Sequence, residues 1–180
     1  MNPMARVLIL FAHPALHRSR INVALMEAVQ GMEGVTFRDL YEEYPNLHID
    51  FETEQELLLE HEVIVWQHPF YWYSAPAILK EWQDVVLEYG FAYGEGGTKL
   101  AGKKVMSALT TGGPEEAYHR EGYNRYTMKE LLAPFDQTAR LCGMEYLDPF
   151  VIHGVRQLTD EQIQVWAQRY KQRILELRNL

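Results

Sequence analysis

Residues 66–82 read WQHPFYWYSAPAILKEW, and Pro69, Phe70, Tyr71, Trp72, Tyr73 and Ser74 fall between an apolar run and a helix-starting proline. Such a run, broken by a polar and aromatic loop, predicts a buried strand releasing its chain at the carboxyl edge of a sheet. Open parallel sheets bind ligands at that edge. Clustered aromatic surface suits stacking on something flat, and the amides of residues 70–73 can meet the polar rim of a ring. The plainer alternative is core packing, because consecutive aromatics also fill space.

Two further loops carry complementary chemistry. Residues 12–22, AHPALHRSRIN, follow an apolar run and lead into a helical pattern. Free amides and the dipole at a helix start favour a phosphate. Ser19 adds a hydroxyl, Asn22 an amide and His13 an imidazole from the strand end; the alternative is that Ser19 only caps the helix. This loop has neither the GxGxxG pattern nor the Walker pattern. The third loop is Thr110-Thr111-Gly112-Gly113-Pro114. Its adjacent glycines permit close backbone approach, and its hydroxyls and amides can bond the carbonyls of a heterocycle. By itself TTGGP is only a turn signal. A phosphate site, a flat wall and carbonyl-binding donors on one sheet edge together point to a flavin.

Other chemistries are disfavoured. No GxSxG elbow accompanies the seven histidines, so a catalytic triad is not indicated. His48, His61, His119 and His153 lack metal-ligand spacing, and His13 and His17, four apart, share a loop with Pro14 rather than a helix face. The charged segment 52–62 reads as a solvated helix face. Cys142, the single cysteine, reads as a buried helix end. It cannot form an internal disulfide, which fits a reducing cytoplasm.

These loops need elements to hold them. Residues 6–11 and 62–68 read as central strands, 104–110 as a strand, residues 35–40 as a strand nearer the edge, and 144–153 as containing another. Helices are expected after Ser19, over 52–60, from Pro76, over 127–142 with Pro134 starting its main body, and from Thr159. Their apolar stripes include Ile21, Ala24 and Leu25; Ile78, Leu79 and Trp82; and Ile163, Trp166, Tyr170, Ile174 and Leu177. Residues 89–102 and 111–126 read as loops. Five strand–helix alternations predict parallel strands with right-handed crossovers. The expected fold class is α/β, a flavodoxin-like three-layer domain over 1–180 with a five-stranded parallel sheet in order 2-1-3-4-5. Its ligand belongs at the switch between strands one and three.

Size and composition agree with one domain. At 180 residues and 47% hydrophobic the chain can bury a sizeable core. A net charge of −8 disfavours nucleic acid and anionic membrane surfaces as partners. No apolar stretch approaches the ~20 residues that span a bilayer, and the amino-terminal run reads as a strand rather than a leader.

The chain resembles the NAD(P)H:quinone oxidoreductase family, the DT-diaphorase-like flavoproteins. AHP, the Ser-x-x-Asn after it, HPFYWYSAPAILKEW, GFAYGEGGTKLAGKK and TTGGP occur in order at family-like spacing over most of the chain. YPNLHID and WQHPFYWYS resemble the ancillary oxidoreductases of bacterial glutathione-regulated potassium-efflux systems. The resemblance implies that His13, Ser19, Arg20, Ile21 and Asn22 hold the flavin phosphate and ribityl chain. It places Pro69, Phe70, Tyr71, Trp72 and Tyr73 at the flavin edge, and Thr110, Thr111, Gly112 and Gly113 on the other side of the ring. Tyr118 matches a tyrosine that assists hydride transfer in the animal enzymes. Their histidine six residues later is replaced here by Asn124, which puts a Tyr/His relay in doubt. The implied cofactor is FMN, with FAD as the alternative, and NAD(P)H is the cosubstrate. The resemblance further implies quinone acceptors, a homodimer with Tyr93 and its glycine loop near the interface, and a cytoplasmic place beside a potassium-efflux antiporter. Rival readings are a non-catalytic flavin-binding regulatory subunit, a flavodoxin-type electron carrier and an azoreductase.

Overall fold

The computed structural model describes residues 4–180. The chain runs β1 (Val7–Phe11), α1 (Arg20–Val29), β2 (Val35–Asp39), α2 (Leu40–Glu43), α3 (Phe51–Glu60), β3 (Val63–Pro69) and α4 (Ala77–Val86). It continues through β4 (Lys104–Thr110), α5 (Met128–Leu131), α6 (Ala133–Leu141), β5 (Glu145–Tyr146), β6 (Phe150–Ile152) and α7 (Asp160–Leu177). All strand pairs in the sheet are parallel, in the order β2-β1-β3-β4-β5, with β6 also on β4.

β1 and β3 are buried along their whole length; β1 is an unbroken apolar run, and β3 begins as one, VIVW, before Gln67 and His68 at its carboxyl end. Successive side chains point to opposite faces. Val7 and Ile9 therefore join the core under α1 and α7, with Leu25, Val65 and Tyr170, whereas Leu8 and Leu10 join the core under α3, α4 and α6, with Leu58, Trp82 and Phe135. β2 is only half-buried, as an edge strand should be.

The strand expected within 144–153 is two short pieces. β5 pairs with the start of β4 and β6 with its end. Pro149, which has no amide to give a ladder, lies in the gap. The fifth position of the sheet is thus filled, but by two strands rather than one. The helix expected over 127–142 is likewise divided. Thr127 and Glu130 form a reciprocal cap on α5, and α6 starts afresh with Pro134 in its first turn. Proline there removes an amide and crowds the carbonyl four residues back.

One expectation for 52–62 is overturned. Glu54 is fully buried; its carboxylate accepts from Arg38, from the Tyr44 hydroxyl at 2.7 Å and from Trp82 Nε1 at 2.9 Å. A carboxylate survives in a core only when paired and hydrogen-bonded, and Arg38 reaches it from β2. Cys142 is buried at the end of α6 as expected, and burial pushes its thiol upward. Among the described residues, no helix is long and apolar enough to cross a membrane.

Candidate functional site

The three loops do converge. Pro69 is in register with Thr110, and Phe11 with Gln67, so the chain leaves β1, β3 and β4 at one edge of the sheet. A cleft of about 660 Å³ opens there. His13, Ser19, Arg20, Ile21, Asn22, Pro69, Phe70, Tyr71, Trp72, Thr110 and Gly112 all line it. Tyr73, Thr111, Gly113 and Tyr118 lie beside the cleft rather than on its wall. Arg18, Val155 and Arg156 line it without having been expected.

Ser19 caps α1, accepting from the Asn22 amide at 3.2 Å and from Asn22 Nδ2 at 2.9 Å. The two readings of Ser19 are therefore not exclusive. Asn22 Nδ2 also donates to Thr110 Oγ1 at 3.2 Å, which ties the start of α1 to the end of β4. Asn22 Oδ1 is buried with no partner, and a buried polar atom of this kind calls for a hydrogen-bond donor. His13 Nδ1 accepts from the Ala15 amide at 3.1 Å. Burial lowers the His13 imidazole below its ordinary value, against a backbone hydrogen bond and with help from His17. The neutral ring then carries its proton on Nε2.

The α1 end of the cleft is cationic in a chain of net charge −8. Arg20 is tied to Asp160 and donates to the Leu158 carbonyl at 3.2 Å. Among the described residues Arg18 and Arg156 form no ion pair. Arg156 reaches the site from the turn after β6, across from Gly112. Arg18 lies within the 12–22 loop that the sequence already marks; no local pattern marks Arg156, which only the convergence of the loops brings to it.

The aromatic loop is strained. Trp72 (φ 47°, ψ 48°) and Tyr73 (φ 61°) both adopt left-handed backbone, and Trp72 is 92% exposed. For a non-glycine residue that conformation costs about 1–2 kcal/mol. The loop is held by Phe70 N donating to the Thr110 carbonyl at 2.8 Å and by the Tyr73 hydroxyl donating to Asn124 Oδ1 at 3.0 Å. Backbone outliers of this sort concentrate at functional sites.

Tyr118 packs against Phe70 and against the His153 ring, whose centroid is 5.1 Å away. Burial raises its phenol, while Thr111 and Asn124 act the other way. Asn124, whose oxygen accepts from Tyr73, is a carboxamide and supplies no titrating group beside Tyr118.

These residues fit a flavin mononucleotide. The free first-turn amides of α1 with Arg18 suit a phosphate, the orphaned Asn22 oxygen suits a hydroxyl of the ribityl chain, and the loops at 69–72 and 110–112 suit a planar ring with polar edges.

A doubly wound sheet in this order, with a cleft at its switch point, defines a flavodoxin-like α/β class. The chain belongs to the flavodoxin-like fold family, whose model matches residues 5–174. It is 48% identical over 170 residues to the glutathione-regulated potassium-efflux system ancillary protein KefG of Pectobacterium carotovorum, spanning 94% of this chain and 93% of that one. Among solved structures it is similar to general stress protein 14 of Treponema denticola in complex with FMN (35% identity, TM-score 0.92, covering 96% of this chain and 99% of the other). It is also similar to an NADPH-quinone reductase from P. pentosaceus (33% identity, TM-score 0.85, covering 93% and 96%).

Proposed function

We propose that this protein is a flavin-dependent NAD(P)H:quinone oxidoreductase that holds FMN, works in the cytoplasm as a homodimer, and serves as an ancillary protein of a potassium-efflux antiporter. The observation that carries the reading is the cleft itself. One helix start, one aromatic loop and one glycine turn meet at the switch point with an unpartnered buried acceptor, Asn22 Oδ1, between them. The FMN complex of the Treponema relative supports the cofactor, the quinone reductase relative supports the reaction class, and the KefG relatives support the transporter partner.

A flavin held there would supply two-electron hydride chemistry between NAD(P)H and a quinone, in the ping-pong manner. The protein supplies position and charge. Arg18 and the amides of Arg20 and Ile21 anchor the phosphate. Asn22 and the neutral His13 orient the chain between phosphate and ring. Phe70, Tyr71 and Trp72 form a flat wall that excludes water and accepts planar substrates with little discrimination among them. The Thr110 hydroxyl and the amides of Gly112 and Gly113 meet the ring carbonyls, Thr111 braces the turn through its bonds to Gly113 and Ile152, and Tyr118 keeps a protonated phenol beside them.

A purely regulatory flavoprotein is the second reading, favoured by the ancillary naming of the KefG relatives. The test is an absorption spectrum after incubation with FMN or FAD and desalting, followed by anaerobic NADPH and then a benzoquinone. Retained absorbance near ~450 nm that bleaches quickly and returns with the quinone supports the oxidoreductase and identifies the flavin. Retention with only slow bleaching and no cycling favours the regulatory reading. Failure to retain either flavin overturns both.

A further inference from the structure

His153 joins the glycine turn from the far side. The segment 152–155 is laced to that turn by three backbone bonds: Thr111 N to the Ile152 carbonyl at 2.9 Å, Gly154 N to the Gly113 carbonyl at 2.9 Å, and Val155 N to the Thr111 carbonyl at 3.1 Å. Between them the Thr111 hydroxyl lies 2.8 Å from the Gly113 carbonyl and 3.0 Å from His153 Nδ1. A carbonyl can only accept, so the single hydroxyl proton goes to Gly113. The Thr111 oxygen must then accept from His153, and the neutral ring carries its proton on Nδ1. Nε2 is left as an acceptor. Protonating Nε2 breaks no bond in this network, because Nδ1 donates in both states.

The surroundings suit a group that changes charge. A groove of about 720 Å³ lined by Glu115, Glu116, His153, Gln162 and Trp166 opens beside the ring and gives water a route to it. Burial lowers the imidazole, Glu115 and Glu116 raise it, and His119 lowers it again. Tyr118 packs on its face, and Arg156 stands three residues along the same segment. Asn124, by contrast, cannot titrate.

We propose that His153 is a positioning residue that compensates charge at the Thr110–Gly113 turn, taking a proton at Nε2 when negative charge arrives there and releasing it when that charge leaves. This rests on the flavin reading above. The balance is simple. A hydride from NAD(P)H brings two electrons and one proton, and a quinone needs a second proton to become a quinol. On reduction His153 takes a proton from water through the groove at Nε2; on reoxidation it gives that proton back to water, and the quinone, which receives the hydride, takes its second proton from solvent. Coupling is reciprocal: if reduction raises the affinity of His153 for a proton, protonation favours reduction equally.

The test uses the FMN-loaded protein, with retention of FMN checked first by absorbance after desalting. Loss of FMN at that step would overturn the flavin reading and this proposal with it. With FMN retained, histidine NMR titrations are run in the oxidised and dithionite-reduced protein. The His153 pKa is expected to rise by about one unit on reduction. The two-electron potential should steepen by about 30 mV per pH unit between the two His153 pKa values. His153→Gln keeps a donor for Thr111 but cannot titrate, so it should retain FMN and lose that extra slope. His119→Gln should leave the slope unchanged. An equal His153 pKa in both redox states, or an unaltered slope in His153→Gln, would overturn the proposal and leave His153 a structural strut.

Discussion

Asn22 on α1 donates from Nδ2 to Thr110 Oγ1 at the end of β4, 3.2 Å away, while its own Oδ1 is buried and unpartnered. One side chain therefore both joins two of the three loops and offers the cleft an acceptor. Asn22→Ala removes both. Flavin affinity should fall about tenfold, roughly the value of one good hydrogen bond, and stability should drop by about 1–2 kcal/mol. Flavin fluorescence titration and urea unfolding read the two effects. Unchanged affinity would show that Asn22 is only a strut.

Arg38 and Glu54 form the buried ion pair under α3 and α4, with Glu54 wholly enclosed and Arg38 nearly so. Arg38→Met should cost about 3–5 kcal/mol, because it strands a charge in the core. Glu54→Gln should cost less, since Arg38 keeps Glu43 as a partner and the amide oxygen still accepts from Tyr44, although its NH2 group then faces the Trp82 N–H. Denaturant midpoints compare the two variants. Equal costs would mean that the charge is not what matters there.

Acid should destabilise the fold well above carboxylate pH. Burial pushes the His68 imidazole down to about 4, against a hydrogen bond to the Pro69 carbonyl. Its folded value lies below its unfolded value, so protons favour the unfolded chain. Stability is complete above about 6.5, declines as pH falls, and has lost about 3 kcal/mol from this residue below about 4. His61 and His13 are also lowered by burial and act in the same direction. The dependence of unfolding free energy on pH should flatten in His68→Asn. A variant curve parallel to the wild type would assign the acid loss elsewhere.

Trp72 gains nothing for the isolated fold from its left-handed backbone, being almost entirely exposed. Trp72→Gly should leave stability unchanged or raise it by about 1 kcal/mol. Quinone turnover should fall, because the flat wall loses its outermost ring. Thermal melts together with NADPH–benzoquinone kinetics check both halves. A destabilised variant with intact turnover would refute the view that the strain serves the site.

Local pattern determined a good deal by itself. Unbroken apolar runs as short as VLILF and VIVW fit strands covered on both faces, and helical spacing in α1, α4 and α7 names the residues that cover them. Strand–helix alternation then leaves few topologies, so the sheet order and the edge carrying the three loops were legible. Ser19 as a cap and Pro134 as a helix start were legible for the same reason: the physics is that of neighbours in the chain. Tertiary structure decided the rest. The split of the fifth strand depends on which part of β4 each short piece can reach. Glu54 reads as solvated until Arg38, Tyr44 and Trp82 arrive from other elements. Arg156 becomes a site residue, and His153 a neighbour of Tyr118, only when loops far apart in sequence close on one edge. The left-handed turn at Trp72 and Tyr73 is held by bonds to Thr110 and Asn124. Long-range contacts of this kind leave no local periodicity, because the partners that fix them lie many residues away.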